Sequence, residues 1–264
     1  MREKEATFSN TKIAVIFFVF VIFIIGISLT FKFIAVLRSG QFDDSRSFSI
    51  GMSDGKNAQL VILSRDSKSI TVFKLTGIRA EEAGRTLRAP IDSFITSDSL
   101  DLNQKVNSLF FTLIINYKKL KTNLTIIDLL RINLFVRSIP QNSVNIMVVK
   151  DIDKLTLDKV ISRLITDTLI EKDNQTIQII NGTSISGFGN RLAGLITNMG
   201  GNVIIVATEN SPVKKSFISY IDKKSYTVER LRKVLGYDVI RGTDRGMADI
   251  TITIGEDGVD SPPF

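Results

Sequence analysis

Residues 175–207 read QTIQIINGTSISGFGNRLAGLITNMGGNVIIVA, and this stretch decides how the C-terminal third of the chain folds. Alternating apolar residues over 175–180 predict a strand, and the Asn-Gly-Thr that follows predicts a turn. Apolar residues on one side of 187–199 predict a helix, which Gly200-Gly201 ends. The run 202–207 predicts a second strand. The stretch therefore indicates a strand, a helix and another strand.

The rest of the C-terminal third continues this pattern. Residues 217–221 and 248–255 predict two further strands, and the helix between them ends at Gly236. The predicted order is β-α-β-β-α-β, which gives one sheet covered by two helices on one face. For the whole chain the predicted class is α/β (α+β), with an N-terminal transmembrane helix, a middle α/β domain and this C-terminal domain.

Several short motifs of the C-terminal third occur in the order of a known family. They are 179–183 at the first turn, Gly187 with 191–193 at the first helix, 200–203 before the second strand, 217–220 in the third strand, 235–236 at the end of the second helix, and 248–255 in the last strand. Together they resemble the LytR C-terminal domain family over about residues 175–256.

This resemblance implies a setting in the bacterial envelope. Members of the family are often found behind a LytR–CpsA–Psr domain, which resembles transferases that attach anionic glycopolymers from lipid carriers to peptidoglycan. Here 60–73 is similar to the first hairpin of that domain, and 122–130 is similar to its closing helix. However, 74–79 stands where that family carries Pro-Arg-Asp, and no arginine-rich pyrophosphate pocket follows. The resemblance therefore implies a reduced, inactive domain.

A second decisive stretch lies near the N-terminus. Residues 13–31 contain no charge, and apolar residues continue through 33–37. At 1.5 Å per residue the uncharged run covers close to the ~30 Å hydrocarbon core of a bilayer. A buried soluble helix would carry polar residues on some face. A cleaved signal peptide would have a shorter apolar region and a better cleavage site than 30–33. We therefore predict an uncleaved anchor.

The anchor divides the chain. The predicted parts are a short cytoplasmic tail at 1–12, a transmembrane helix at 13–37, a linker at 38–57 with a short strand at 48–50, a reduced LytR–CpsA–Psr-like domain at 58–170, a LytR C-terminal-like domain at 175–257, and a flexible tail at 258–264. Basic residues flank the anchor almost evenly, so charge alone does not set its orientation. Because the N-terminal tail is so short, we expect it in the cytoplasm and the remaining chain outside the cell membrane.

The middle domain has weaker but readable signals. Its predicted elements are a hairpin of 59–64 and 69–75 with a turn at 66–68, a helical segment at 105–111, a helix that starts after the Thr-Asn-Leu-Thr at 122–125 and ends before Pro140, a strand at 145–149, and a helix at 156–169.

Composition excludes several classes of function. The chain has a net charge of +7, but its lysine pairs at 118–119, 214–215 and 223–224 form no basic cluster, so we expect no nucleic-acid binding. The positive charge favours weak attraction to anionic lipid or wall polymer. There is no Cys and no His, which removes thiol nucleophiles, imidazole bases and the usual zinc ligands. We expect no metal, no cofactor and no catalytic residue.

Two groups of residues are candidate binding sites. The loop and helix start after the first C-terminal strand are predicted to hold a ligand through Asn181, Gly182, Thr183, Gly187 and Arg191. Possible phosphate contacts are Arg79, Arg85 and Arg88. The alternatives are a tight structural turn for the first group and a solvated helix face for the second.

Three functions fit these observations. The main hypothesis is a non-catalytic, membrane-anchored envelope protein whose C-terminal module contacts peptidoglycan, anionic wall polymer or a protein partner. The alternative is a divergent transferase of lipid-pyrophosphate-linked glycopolymer. A scaffold that dimerises through its anchor is a third option. In all three, residues 13–37 contact the lipid bilayer.

Overall fold

The computed structural model describes residues 2–38, 40–43, 45–77, 80–98, 100–151, 154–242 and 247–259. The chain forms two compact units, residues 1–40 and residues 41–264. The predicted tail at 258–264 lies outside the described residues from 260 onward. The predicted α/β class is confirmed, with an N-terminal apolar helix followed by sheets and helices.

The first unit is a single helix, α1 (Arg2–Arg38). Its segment Lys12–Lys32 has a mean hydropathy of 3.0, and its apolar side chains are exposed. By length and composition this segment can cross a bilayer. The helix begins at Arg2, upstream of the start at residue 13 that the apolar run indicates.

Six strands form the first sheet of the second unit. They are β1 (Phe48–Ser53), β2 (Asn57–Ser64), β3 (Ser69–Thr76), β4 (Ser93–Thr96), β5 (Lys121–Thr122) and β6 (Val144–Val148). Their order across the sheet is β5-β4-β1-β2-β3-β6. Strands β1 to β3 pair antiparallel, whereas β4 and β6 join them in parallel. The predicted hairpin and the strand at 145–149 are confirmed. Strands β4 and β5 escaped prediction because they are too short to show a period.

Strand β1 lies inside this sheet, and all six of its residues are buried. The sequence pattern predicts a linker over these residues, with a strand at 48–50 only. Ser49, Gly51 and Ser53 interrupt the apolar pattern, which hides a strand that is covered on both faces.

The two faces of this sheet contact two hydrophobic clusters, because successive side chains of a strand alternate in direction. Leu60 and Phe73 belong to the first cluster, and Val61 and Val72 belong to the second. Helices α2 (Ala80–Leu87) and α5 (Lys154–Ile165) cover the first face, and α3 (Val106–Ile115) and α4 (Ile126–Ser138) cover the second. The sheet is therefore the middle layer of three.

The predicted start of α4 is confirmed by its cap. The Thr125 hydroxyl accepts the Asp128 N–H at 3.1 Å, and the Asp128 carboxylate accepts the Thr125 N–H at 2.9 Å. This capping box satisfies two backbone donors at the helix start. The helix ends before Pro140, as predicted.

The helix predicted at 156–169 is interrupted. Helix α5 ends at Ile165, and a separate helix, α6 (Thr168–Asp173), follows. Asp167 causes the break, since its carboxylate accepts the Leu169 N–H at 3.0 Å and its own N–H donates to the Met199 carbonyl at 3.0 Å. An aspartate whose backbone is bonded outside the helix begins a new one.

The second sheet is formed by the C-terminal third. In chain order the elements are β7 (Thr176–Asn181), α7 (Phe188–Asn198), β8 (Asn202–Thr208), β9 (Phe217–Tyr220), α8 (Tyr226–Leu235), β10 (Asp238–Arg241) and β11 (Ile250–Ile254). The order across the sheet is β10-β9-β11-β7-β8. The six predicted elements are confirmed, and β10 is additional. It is a four-residue edge strand bounded by Asp and Arg, and such a strand has little pattern to detect.

Helices α7 and α8 cover the same face of the second sheet, as predicted. Leu192 of α7, Leu231 of α8 and Ile179 and Ile252 of the sheet are fully buried in one cluster. That cluster also contains Leu60, so it continues into the first sheet. The division of this unit into domains at 58–170 and 175–257 stays a prediction.

Candidate functional site

The loop after β7 uses its polar groups internally. The Asn181 side-chain oxygen accepts from the Thr183 N–H at 3.2 Å and the Thr183 hydroxyl at 2.8 Å. The Asn181 amide donates to the Ile185 carbonyl at 3.0 Å, and the Ile185 N–H donates to the Thr183 hydroxyl at 3.2 Å. Both predicted site residues are buried. This geometry fits the alternative interpretation of Asn181 and Thr183 as parts of a tight structural turn.

Gly182 is held by close packing. A Cβ at this position would lie 2.6 Å from Val213 Cγ2 and 2.9 Å from the Ile254 carbonyl oxygen. The Gly182 N–H donates to that carbonyl at 2.9 Å, and its own carbonyl accepts the Val213 N–H at 2.7 Å. The absence of a side chain is therefore explained by contacts within the fold.

The start of α7 exposes one cation. Gly187 precedes the helix with φ of +74°, a conformation that glycine adopts without strain. Phe188 is buried, and the Arg191 guanidinium lies over its ring at 4.9 Å from the centroid. This cation–π contact orients the guanidinium. Among the described side chains, no carboxylate lies within ion-pair distance of Arg191.

The end of α2 brings two more cations to the same place. Arg88 has a φ of +48° and turns its side chain across Gly194 of α7, where a Cβ would lie 3.0 Å from Arg88 Cδ. Arg88 Nη1 lies 3.4 Å from the Asp158 carboxylate, and both side chains are about one-third exposed. Arg85 is exposed and donates from Nη2 to the Val259 carbonyl at 2.8 Å.

Arg85, Arg88 and Arg191 line one cleft between α2 and α7. Its other lining residues are Gly84, Phe188 and Leu195, and its volume is about 40 Å³. A single water needs about 10–15 Å³, so the cleft has room for a phosphate-sized group against an apolar floor. Guanidinium groups bind phosphate and carboxylate with paired hydrogen bonds. The arrangement suits an anionic group presented from solvent.

The structure thus joins residues from the two separate groups of predicted contacts. Arg85 and Arg88 meet Arg191, whereas Asn181, Gly182 and Thr183 do not line the cleft. Arg79, the remaining candidate, lies outside the described residues. Phe188 was not predicted as a site residue. Its three-residue spacing from Arg191 on a helix is the signal that could have indicated the contact.

A buried ionic network, which no sequence pattern indicated, lies between the two sheets. Asp92 precedes β4 and binds Arg46 through both guanidinium nitrogens at 3.1 Å. Its other cation is Arg230 of α8, at 2.7 Å. The side chains of these three residues are 5–10% exposed. Burial alone would raise the pKa of Asp92, but Arg230 and Arg46 outweigh it and hold that pKa well below its usual range.

The same network continues to α6 and α8. The Tyr226 hydroxyl donates to Asp167 at 2.7 Å, and Arg230 Nε lies 3.8 Å from the same carboxylate oxygen. Burial and this hydrogen bond raise the pKa of Tyr226. Arg46 and Asp92 come from the first sheet region, and Tyr226 and Arg230 come from the C-terminal third. The network therefore connects the two parts of the second unit through desolvated charges.

Comparison with known protein families matches the C-terminal third. Residues 174–257 match the LytR_C family model, described as LytR cell envelope-related transcriptional attenuator. The match runs from β7 past β11 and includes both helices of this part. It confirms the resemblance noted in the sequence, and it supports association of the chain with the cell envelope.

Comparison with whole proteins adds less. The transcriptional regulator yvhJ from Bacillus subtilis, a solved structure, shares 13% sequence identity with this chain. The similarity covers 40% of this chain and 83% of that one, with a TM-score of 0.32, and adds nothing to the fold described above. No curated protein matches the chain.

Proposed function

We propose that this chain is a membrane-anchored, extracytoplasmic envelope protein that holds phosphate groups of an anionic wall polymer in the cleft between α2 and α7. The observation that carries the proposal is the meeting of Arg85, Arg88 and Arg191 around one cleft. Of the three arginines we expect Arg191 to contribute most to phosphate affinity, because Phe188 orients its guanidinium and no described carboxylate neutralises it. The LytR_C match supports the envelope setting of such a ligand.

The anchoring part of the proposal rests on α1. Its segment Lys12–Lys32 is long and apolar enough to span a bilayer. We assign the residues before this segment to the cytoplasm and the second unit to the outside of the membrane, in keeping with the match to an envelope-related family model. The second unit then lies on the side of the membrane that carries the cell wall and its anionic polymer.

Cysteine labelling tests this orientation. Because the chain has no Cys, Ser67→Cys in the exposed turn between β2 and β3 introduces one unique thiol. We expect a membrane-impermeant maleimide to label Ser67→Cys in intact cells and to label the matched variant Ser9→Cys only after lysis. Labelling of Ser9→Cys in intact cells with protection of Ser67→Cys would reverse the orientation.

Binding to cell-wall sacculi tests whether the ligand is a phosphate polymer. The full chain in detergent micelles is mixed with peptidoglycan sacculi that keep their phosphate polymer and with sacculi stripped of it. We expect saturable binding to the first that weakens with added salt, since exposed charges are screened. Equal binding to both preparations would contradict a phosphate ligand and leave peptidoglycan itself as the contact.

A divergent transferase remains the second candidate, because Arg85 and Arg88 lie in the cleft where a lipid pyrophosphate would bind. The two functions differ in turnover. A transferase consumes a pyrophosphate-linked substrate, and changing Arg79, Arg85 or Arg88 to Ala would abolish consumption. A binding protein leaves the same substrate intact over the assay.

A further inference from the structure

Helices α3 and α4 leave an apolar surface exposed on the side away from the first sheet. We name it the α3–α4 face. Its members are Phe111 (48% exposed), Ile115 (67%), Ile126 (42%), Leu130 (46%) and Leu134 (67%). The three residues of α4 follow one another at four-residue intervals and so form one stripe along the helix. A surface of this kind marks a contact site.

The surroundings of the α3–α4 face are basic. Exposed cations follow the stripe and the turn between the helices: Lys118, Lys119, Lys121, Arg131 and Arg137. Arg137 lies over the Phe111 ring at 5.7 Å. Between residues 102 and 149 the sequence has one acidic residue, Asp128, and its side chain is buried. Apolar residues bordered by cations are typical of helices that lie on anionic lipid surfaces.

The chain enters the second unit against α4, the helix that carries the stripe. The Gln41 and Phe42 N–H groups each donate to the Asp128 carboxylate at 3.1 Å, and Arg131 donates to the Phe42 carbonyl at 3.2 Å. Phe42 is only 6% exposed. Residues of α4 thus hold Gln41 and Phe42, the first two residues of the second unit. Three peptide steps separate Arg38, the last residue of α1, from Gln41, and an extended chain covers at most about 10 Å in that distance.

We infer that the α3–α4 face docks on the surface of an anionic lipid bilayer, with its apolar side chains in the headgroup region and its lysines against lipid phosphates. The inference rests on the proposed anchoring of α1. Because only residues 39–40 lie between α1 and the second unit, an anchored α1 keeps the start of the second unit near the bilayer. Docking fixes the height and direction of the second unit above the membrane. The arginine cleft is then presented at a set distance from the bilayer.

Depth-dependent quenching tests the docking. Because the chain has no Trp, a single substitution provides a unique emitter. The docking probe is Leu130→Trp, and the control is Ile204→Trp on β8, a residue with almost the same exposure (46% and 45%). A third variant, Phe20→Trp, reports insertion of α1. Each full chain is reconstituted into vesicles of phosphatidylcholine and phosphatidylglycerol with bromine-labelled acyl chains.

We expect bromine to quench Phe20→Trp and Leu130→Trp, and to leave Ile204→Trp as bright as in unlabelled vesicles. Quenching of Phe20→Trp without quenching of Leu130→Trp would overturn the docking while keeping the anchor, and would assign the face to a protein partner. No quenching of Phe20→Trp would instead overturn the proposed anchoring. Equal quenching at Leu130→Trp and Ile204→Trp would also overturn a specific docking face.

Charge reversal tests whether the lysines beside the α3–α4 face contact lipid phosphates. The variant Lys118→Glu, Lys119→Glu, Lys121→Glu is compared with a control that changes exposed lysines elsewhere, Lys214→Glu, Lys215→Glu, Lys223→Glu, each with Leu130→Trp. We expect the first set to lower the ratio of docked to undocked protein by about fivefold or more per lysine at low salt. Equal quenching in the two sets would overturn the assignment of the lysines to lipid phosphates.

Discussion

Replacing Asp92 with Asn lowers the free energy of unfolding by about 3–5 kcal/mol in our expectation. The substitution keeps the shape of the side chain but removes the carboxylate closest to Arg46 and Arg230, which keep the longer contacts with Asp43 at 3.5 Å and with Asp167 at 3.8 Å. Both guanidinium groups are at least nine-tenths buried. A buried charge that loses its closest partner keeps its desolvation penalty and loses most of the Coulomb attraction that offset it. The effect should appear in urea unfolding of the full chain in micelles, followed by circular dichroism.

The matched control is Asp222→Asn, at an exposed aspartate on the C-terminal side of β9. It should change the free energy of unfolding by less than about 0.5 kcal/mol, as surface substitutions usually do. A loss for Asp92→Asn no larger than this control would show that the network contributes nothing to the connection between the two sheets.

The difference in unfolding free energy between the wild type and Asp92→Asn depends on pH in a defined direction. The pKa of Asp92 is lowered in the folded state, so its contribution to stability is complete above the unfolded value of about 3.9 and is lost as the pH falls through the lower folded value. The difference between wild type and Asp92→Asn should therefore be largest near neutral pH and should narrow in strong acid. A difference that grows on acidification would have the wrong sign.

Arg191→Ala is expected to weaken binding to phosphate-bearing sacculi by about 10- to 100-fold. A hydrogen bond to a charged group contributes about 1.5–3 kcal/mol, and each 1.4 kcal/mol is tenfold in affinity. The Arg191 side chain is exposed and stacks on Phe188 from outside, so its loss should leave the fold intact. The measurement is the binding isotherm of the full chain.

Arg241→Ala on β10 is the control, because Arg241 is also exposed and lies outside the cleft. It removes the same charge from the chain, so a purely nonspecific attraction would weaken equally in both variants. Such an outcome would contradict a phosphate site in the cleft, as would an unchanged isotherm for Arg191→Ala.

The sequence predicted the C-terminal fold well because its signals are local. Alternation of Ile177 and Ile179 indicated β7, and glycines at the helix ends set the limits of α7 and α8. Strand β10 was missed because an edge strand of four residues has no period. For β1 the sequence predicts a linker with a short strand at 48–50, because Ser49, Gly51 and Ser53 interrupt the apolar pattern and the burial of this strand comes only from tertiary packing.

The sequence predicts the individual arginines of the candidate site, but it does not predict that they meet in one cleft. Arg85, Arg88 and Arg191 are each predicted, but Arg191 lies about a hundred residues from the other two along the chain, and they meet only because α2 packs beside α7. The buried network is even harder to predict from the sequence. Arg46, Asp92 and Arg230 are isolated charges in sequence, and only the packing of two sheets turns them into partners.

The most direct test of the central claim is a calorimetric titration of the full chain with a short polyol-phosphate fragment of wall polymer, compared with the same fragment after removal of its phosphates. The account predicts that the phosphorylated fragment binds to the wild type, that added salt and Arg191→Ala weaken it, and that the dephosphorylated fragment does not bind. Binding of the two fragments with equal affinity, or binding that is indifferent to Arg191, would contradict it.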